Sequence, residues 1–123
     1  MIRLLLLTVI LALAPIEAPE PELIPIEAKM SFYCSPCNIC CPGSSGLTAS
    51  GIIPIAGVTV SNDVLPFGTK IYRGEEPPWI VQDRFGGNNP IERFDVFVGS
   101  GPEAHQRALE MGRQTWTVFV ESK

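Results

Sequence analysis

The sequence predicts a mostly β domain, a small barrel or sandwich, with one short helix. Six apolar runs rich in Val, Ile, Phe, Trp and Thr recur at roughly ten-residue spacing and are bounded by Gly, Pro or Asn, which is typical of strands. One segment near the C-terminus has helical periodicity instead. The six runs are MSFY (30–33), GVTVS (57–61), TKIYR (69–73), WIVQD (79–83), RFDVFV (93–98) and TWTVFVE (115–121).

The helix is predicted over residues 102–111, within SGPEAHQRALEMG. Ser100 stands three residues before Glu103, which is the pattern of a capping box at a helix N-terminus. Gly112 is a natural stop. The only histidine of the sequence, His105, falls inside this helix, and a solvated position is expected for it.

The N-terminus predicts a targeting segment followed by a spacer. After a short basic start, Leu4 to Ala14 form an unbroken apolar run, which is too short to span a bilayer as a helix and is typical of a secretory signal. We assign residues 1–18 to this signal, with an uncleaved anchor as the alternative. Residues 19–28 are rich in Pro and Glu and predict an extended spacer with little packed structure. The domain is therefore expected to cover 29–123.

Charge excludes one class of partner. The chain carries 13 acidic and 9 basic side chains, but several glutamates lie at or before the spacer, and the domain from Lys29 onward is close to neutral. Because it has no basic patch, nucleic acid is not expected as a partner. A monomer is expected, with membrane attachment only through the N-terminal segment.

Four cysteines lie within eight residues, in YCSPCNICCPG: Cys34, Cys37, Cys40 and Cys41. Outside the cytoplasm such a group favours two disulfides. Two pairings are open, Cys34–Cys41 with Cys37–Cys40, or Cys34–Cys40 with Cys37–Cys41. Zinc is the competing interpretation, but zinc sites usually draw ligands from two separated loops, and the cysteines offer one loop only. We therefore expect a local staple and no metal at the functional site.

Two aspartates are the first candidates for chemistry. Asp83 and Asp95 each follow a short apolar run, and a loop rich in Gly and Asn separates them. Aspartates beside such loops often only cap turns, so the spacing leaves capping and catalysis both open. Trp79 and Trp116 could stack on sugars, but core packing is expected for both.

Four motifs in order resemble a known family. GLTASG (46–51), LPFGTKI (65–71), VQDRFGG (81–87) and RFDVFVGSGPEAHQRA (93–108) are similar to the three-aspartate (3D) domain, which is also the C-terminal part of membrane-bound lytic transglycosylase A. The cysteine loop also resembles a Cys-rich variant of this family. The resemblance covers about 29–123. It implies a six-stranded double-psi β-barrel that cleaves the glycan strands of peptidoglycan without a cofactor, in the cell envelope.

The resemblance also assigns roles to residues. Asp95 matches the family's catalytic acid, Asp83 matches the second of its three aspartates, and Thr48 matches a threonine near the site. By resemblance, Asp95 protonates the leaving oxygen and then deprotonates the 6-hydroxyl of muramic acid, giving a 1,6-anhydro product. A proton donor of this kind needs a raised pKa, which burial and a second carboxylate provide.

The sequence also departs from the family pattern. The family's first aspartate falls on Ser61, with Asp63 two residues further on as a possible substitute in substrate binding. Arg93 could bind substrate carboxylates through its planar guanidinium, although a surface ion pair is the commoner role. The second domain of the transglycosylase is missing. A non-catalytic polysaccharide-binding barrel, like those of expansins or rare lipoprotein A, is therefore the alternative.

Overall fold

The computed structural model describes residues 21–37 and 43–122. It contains six strands and one helix. In chain order these are β1 (Leu23–Tyr33), β2 (Thr59–Ser61), β3 (Lys70–Arg73), β4 (Glu76–Asp83), β5 (Arg93–Phe97), α1 (Gly101–Met111) and β6 (Gln114–Glu121). The predicted signal segment 1–18 lies outside the described residues, as do Cys40 and Cys41.

The strands form a closed barrel in the order β1-β5-β2-β4-β3-β6. Strand β1 runs parallel to β5, and β2 runs parallel to β4, whereas the remaining neighbours are antiparallel. The predicted fold class, a mostly β six-stranded double-psi barrel with one short helix, is confirmed. Each of the six apolar runs identified in the sequence overlaps one of these strands.

The core fills the barrel interior with alternate strand residues. Phe94 and Val96 of β5 point inward, and Met30, Val60 and Val81 join them from neighbouring strands, all nearly inaccessible to solvent. Each such side chain contributes about 1.5–3 kcal/mol by its removal from water. Because side chains alternate between the two faces of a strand, the residues between these core positions face the other side of the barrel wall.

The two tryptophans differ in their surroundings. Trp79 is buried in the core cluster, as expected. Trp116 stacks on Trp79 with ring centroids 5.8 Å apart, but 38% of its surface is exposed. The expectation of core packing is therefore wrong for Trp116, since it lies at the edge of the cluster and covers it from outside.

The first strand starts earlier than the sequence predicted. Strand β1 begins at Leu23, so most of the segment 19–28 that we interpreted as a spacer pairs with β6, and Ala28 is fully buried. Pairing with β5 begins only at Lys29. Pro25 is tolerated because this half of β1 is bonded on one side only, where a missing N–H donor costs little. The domain boundary at residue 29 was therefore placed too late.

The helix is confirmed, but its N-terminus is not closed by a capping box. Ser100 is the N-cap residue in an extended conformation, and its side chain makes no capping hydrogen bond. Pro102 occupies the second helical position and has no N–H to donate to it. Gly112 ends the helix as predicted, and its N–H donates to the Ala108 carbonyl at 3.2 Å. Within residues 21–37 and 43–122, no helix has the length and hydropathy needed to cross a membrane.

Candidate active site

Four polar residues lie in one row across four adjacent strands. Ser31 of β1 is the register partner of Asp95 of β5, Asp95 is the partner of Ser61 of β2, and Ser61 is the partner of Asp83 of β4. Register partners present their side chains on the same face of a sheet. Parallel pairing of β1 with β5 and of β2 with β4 therefore brings together residues that are distant in sequence.

The row lies on the face of the barrel wall opposite to the core. Asp95 stands between the inward-pointing Phe94 and Val96, so its carboxyl group points away from the interior. A register shift between Val60 and Ser61 brings Asp83, rather than its neighbour, opposite Ser61. Such irregularities commonly re-aim a side chain near a functional site. The two aspartates are separated by one intervening strand, so their backbones lie about 9–10 Å apart.

Asp95 is a half-buried carboxyl group with one hydrogen-bonded oxygen. The Ser31 hydroxyl donates to its Oδ1 at 2.9 Å, and no hydrogen bond reaches its Oδ2 from the part of the chain that the structure describes. Burial raises the pKa of Asp95 and the charge of Asp83 adds to the rise, whereas the Ser31 hydrogen bond and Arg93 oppose it. Burial is therefore the main effect on this carboxyl group, and the net direction of its pKa shift is upward.

Arg93 acts on Asp95 through Ser31. Its Nη2 donates to the Ser31 hydroxyl at 3.1 Å, and the same hydroxyl donates to Asp95. Arg93 lies two residues before Asp95 on β5, which places both side chains on one face. Its guanidinium also donates to the Lys29 carbonyl at 3.2 Å. The structure thus places Arg93 beside the carboxyl group, where it orients Ser31.

Asp83 is held by three donors from three parts of the chain. The Ala49 and Arg84 backbone N–H groups donate to its Oδ1 at 2.8 and 2.9 Å, and the Tyr33 hydroxyl donates to its Oδ2 at 2.8 Å. Burial, supported by the charges of Asp83 and Asp95, raises the pKa of Tyr33 far above its usual range. Tyr33 therefore remains a hydrogen-bond donor at any physiological pH.

Thr48 lies in a loop that docks on Asp83. Thr48 is buried, and its hydroxyl is 2.9 Å from the Ser50 hydroxyl and accepts a bond from the Ile52 N–H at 3.3 Å. Ser50 in turn donates to the Gln82 carbonyl at 2.7 Å. The next residue, Ala49, supplies the backbone donor to Asp83. The structure thus brings Thr48 close to the row, but engages its hydroxyl within the loop.

Asp63 lies in a different environment. Its Oδ1 accepts from the Phe85 N–H at 2.8 Å, and its Oδ2 accepts from the Asn89 N–H and side-chain amide at 3.2 and 2.8 Å. Desolvation is the largest single effect and would raise the pKa of Asp63, but the hydrogen bonds from Asn89, Phe85 and Gly86 together outweigh it, so that the pKa is lowered. Asp63 therefore fixes the Gly- and Asn-rich loop after β4, which is the turn role that aspartates often have.

Sequence reasoning missed three members of the site. Ser31 and Tyr33 lie two residues apart on β1, and both contact an aspartate of the row. Their alternation with Met30 and Phe32 was visible in the run MSFY and could have indicated a polar face. Ser61 was noted only as a departure from the family pattern, whereas the structure buries it between Asp83 and Asp95.

The cysteine loop has a neighbour that the sequence did not suggest. Cys34 and Cys37 are buried, and Nδ1 of His105 lies 3.7 Å from Sγ of Cys34. The expectation of a solvated His105 is wrong, because α1 packs against the end of β1 and half-buries the imidazole. Both proposed disulfide pairings involve Cys40 and Cys41, outside the described residues, so the disulfides stay a prediction.

Comparisons with known proteins identify solved structures with a similar fold. No family model and no curated protein matches the sequence. Among solved structures, a variant of the E. coli lytic transglycosylase MltA in an apo form is 22% identical with a TM-score of 0.50, over 63% of this chain and 27% of that chain. The crystal structure of MltA from E. coli is 23% identical with a TM-score of 0.48 over the same shares.

A membrane-bound lytic murein transglycosylase from Agrobacterium tumefaciens is also similar, at 23% identity and a TM-score of 0.47, over 61% of this chain and 25% of that chain. This chain spans about a quarter of the length of the structures that it matches. At these identities the likeness concerns the fold. The protein is a six-stranded barrel whose fold is similar to part of the lytic transglycosylase MltA.

Proposed function

We propose that this protein acts on the glycan strands of peptidoglycan, as a lytic transglycosylase-like enzyme with Asp95 as its general acid and base. The observation that carries the proposal is the environment of Asp95. Its carboxyl group is half-buried, burial raises its pKa, and a second aspartate lies one strand beyond its neighbour Ser61. The proposed place of action is the cell envelope, outside the cytoplasm.

The reaction assigns a distinct task to each oxygen of Asp95. Ser31 occupies Oδ1, so Oδ2 is the oxygen available to a substrate. In the first step protonated Asp95 gives its proton to the glycosidic oxygen, and the bond to the anomeric carbon breaks. In the second step the 6-hydroxyl of the muramic acid bonds to that carbon, and its proton returns to Asp95. The product is a 1,6-anhydro sugar, with no water consumed.

Asp83 serves this reaction as a fixed negative charge. Its three donors hold the carboxylate in place, and its charge raises the pKa of Asp95 while favouring positive charge at the anomeric carbon. Fixed charges of this kind need no reorganisation during the reaction. Arg93 and Ser31 orient the Asp95 carboxyl group and limit the rise of its pKa.

A non-catalytic glycan-binding barrel is the second candidate. Two observations favour it. Ser61 stands at the centre of the row where the family that the sequence resembles has its first aspartate, and both oxygens of Asp83 already accept hydrogen bonds from Tyr33, Ala49 and Arg84.

Digestion of purified peptidoglycan by the intact chain separates the two candidates. Mass spectrometry of the soluble products should find muropeptides with 1,6-anhydro ends, and Asp95→Asn should abolish them. Glu103→Gln, an exposed acid on α1, is the matched control and should leave the yield unchanged. Co-sedimentation of each variant with insoluble peptidoglycan measures binding independently.

The outcomes are distinct. Anhydro products that persist in Asp95→Asn would refute the assigned role of this residue. Sedimentation with peptidoglycan but no released product would support the binding barrel. Products with reducing ends would indicate hydrolysis instead of transglycosylation, and neither binding nor product would refute both candidates.

A further inference from the structure

A second cluster of reactive side chains lies where β1 meets α1. Cys34 directly follows β1, Cys37 lies in the loop beyond it, and His105 projects from the first half of α1. Their ligand atoms, two Sγ and one imidazole nitrogen, all lie within 4.8 Å of one another. Both cysteines are almost completely buried. None of these residues takes part in the reaction proposed for the aspartates.

The distances are those of a metal site that needs only small movements. In a tetrahedral zinc site the Zn–S bonds are about 2.3 Å and the Zn–N bonds about 2.0–2.1 Å, so two ligand atoms lie about 3.5–3.8 Å apart. Sγ of Cys34 and Nδ1 of His105 are 3.7 Å apart. The remaining distances would need to contract by about 1 Å at most, which side-chain rotation can supply.

The backbone around the cluster is fixed by several hydrogen bonds. The Ser35 N–H donates to the Gly99 carbonyl at 3.0 Å, and the Gly101 N–H donates to the Pro36 carbonyl at 3.1 Å. Ala104, which precedes the histidine, is fully buried against Cys34 and Cys37. The loop is therefore held against the start of the helix beside the three side chains, as a preorganised site requires.

We propose that Cys34, Cys37 and His105 bind a zinc ion that joins the cysteine loop to α1. Thiolate and imidazole ligands favour zinc over magnesium or calcium, which prefer oxygen. Two thiolates balance the charge of Zn²⁺, so the buried site is neutral overall. In the sequence, zinc was disfavoured because the four cysteines share one loop. The structure adds His105, which supplies a ligand from a separated element, the helix α1. The site has a structural role, since the three side chains lie where two elements meet.

Metal analysis of the intact chain tests this proposal. The protein is expressed with added zinc under reducing conditions, purified without chelator, and assayed for zinc by mass spectrometry. We expect about one zinc per chain. Loss of a supporting hydrogen bond typically lowers metal affinity about 10–100-fold, so His105→Ala, which removes a ligand, should weaken zinc binding by at least about tenfold. Gln106→Ala, the next residue on the same helix, is the matched control.

Two further measurements test the proposal independently of the zinc content. Replacement of zinc by cobalt should give a sulfur-to-cobalt charge-transfer band in the wild type and Gln106→Ala proteins, and a weakened band in His105→Ala. Chelator should lower the melting temperature of the wild type by more than it lowers that of His105→Ala. Zinc binding that is unchanged in His105→Ala would overturn the proposal. A zinc-free chain in which peptide mapping finds Cys34 and Cys37 in disulfides would also overturn it.

Discussion

Asn62 offers a sharp test of how the barrel holds the row of polar residues. It directly follows Ser61, and its fully buried side chain makes four hydrogen bonds. Its Nδ2 donates to the Ile91 and Arg93 carbonyls at 2.8 and 3.2 Å, and its Oδ1 accepts from two backbone N–H groups at 2.9 Å. Asn62 thereby ties the end of β2 to the segment that leads into β5.

The substitution Asn62→Asp keeps the shape of the side chain but reverses half of its hydrogen bonding. Oδ1 can still accept, but the second oxygen now faces two carbonyl oxygens. A hydrogen bond contributes about 0.5–1.5 kcal/mol net, and leaving a buried group unsatisfied costs about 1–3 kcal/mol. Because two donors are lost and two carbonyl groups are left unsatisfied, the free energy of unfolding should fall by about 4 kcal/mol at pH 8. This is a large part of the usual stability of a domain.

The loss should depend on pH. The buried carboxyl group introduced at position 62 has a raised pKa in the folded state, because its ionised form is repelled by the carbonyl oxygens and poorly solvated. The folded state therefore holds its proton above the unfolded pKa of about 3.9, and stability falls as the pH rises from there towards the raised value. At pH 4.5 the protonated group can donate one bond, so the loss should be about 2 kcal/mol.

Urea unfolding followed by the fluorescence of the buried Trp79 measures both values. With a typical urea dependence of about 1–3 kcal/mol per M, the midpoint at pH 8 should fall by about 2 M. Asn88→Asp, which changes an exposed asparagine of the neighbouring loop, is the matched control and should stay within about 0.5 kcal/mol of wild type. A loss below about 1 kcal/mol at pH 8, or an equal loss at both pH values, would refute the reasoning.

Three further changes test other parts of the structure. Asp83→Asn removes a charge that adds to the effect of burial on the pKa of Asp95, so carbon-13 NMR should find a lower pKa for Asp95 than in the wild type. The free energy of unfolding should also fall less as the pH rises from about 4. An unchanged pKa of Asp95 would contradict this. Gly99→Ala forces a residue with φ of 131° to carry a Cβ 3.3 Å from that of Ala104, which should cost about 1–3 kcal/mol in urea unfolding; a neutral substitution would count against backbone strain at this position. Phe94→Ala empties a fully buried position and should cost about 3–5 kcal/mol, whereas a loss below about 1 kcal/mol would argue against its place in the core.

The strands and the helix could be predicted because their signals are local. Residues such as Phe94 and Val96 belong to a run with the composition of a strand, and Gly112 marks the end of the helix without any tertiary information. The start of β1 was missed for the same reason, since Pro25 argues against a strand unless one knows that β6 alone pairs there. Local patterns therefore predicted which strands and helix exist, but predicted their first and last residues less well.

The site was only half predictable because its geometry comes from pairing between distant strands. Asp83 and Asp95 could be proposed from the sequence and its resemblance to a family. The contributions of Ser31 and Tyr33 depend on the parallel register of β1 with β5, which no local pattern specifies. The contact of His105 with Cys34 likewise requires knowing how α1 packs on the barrel.

The row of polar residues depends on the integrity of the whole barrel. Its hydrogen bonds join residues 64, 50 and 34 positions apart in the sequence. Contacts of such separation form only when the chain has closed long loops, which makes folding slow and the product cooperative. A fragment that lacks either β1 or β5 therefore cannot carry the site. A glycan bound there would contact four strands at once and would bind only the folded barrel. Its binding should therefore raise the melting temperature of the entire domain.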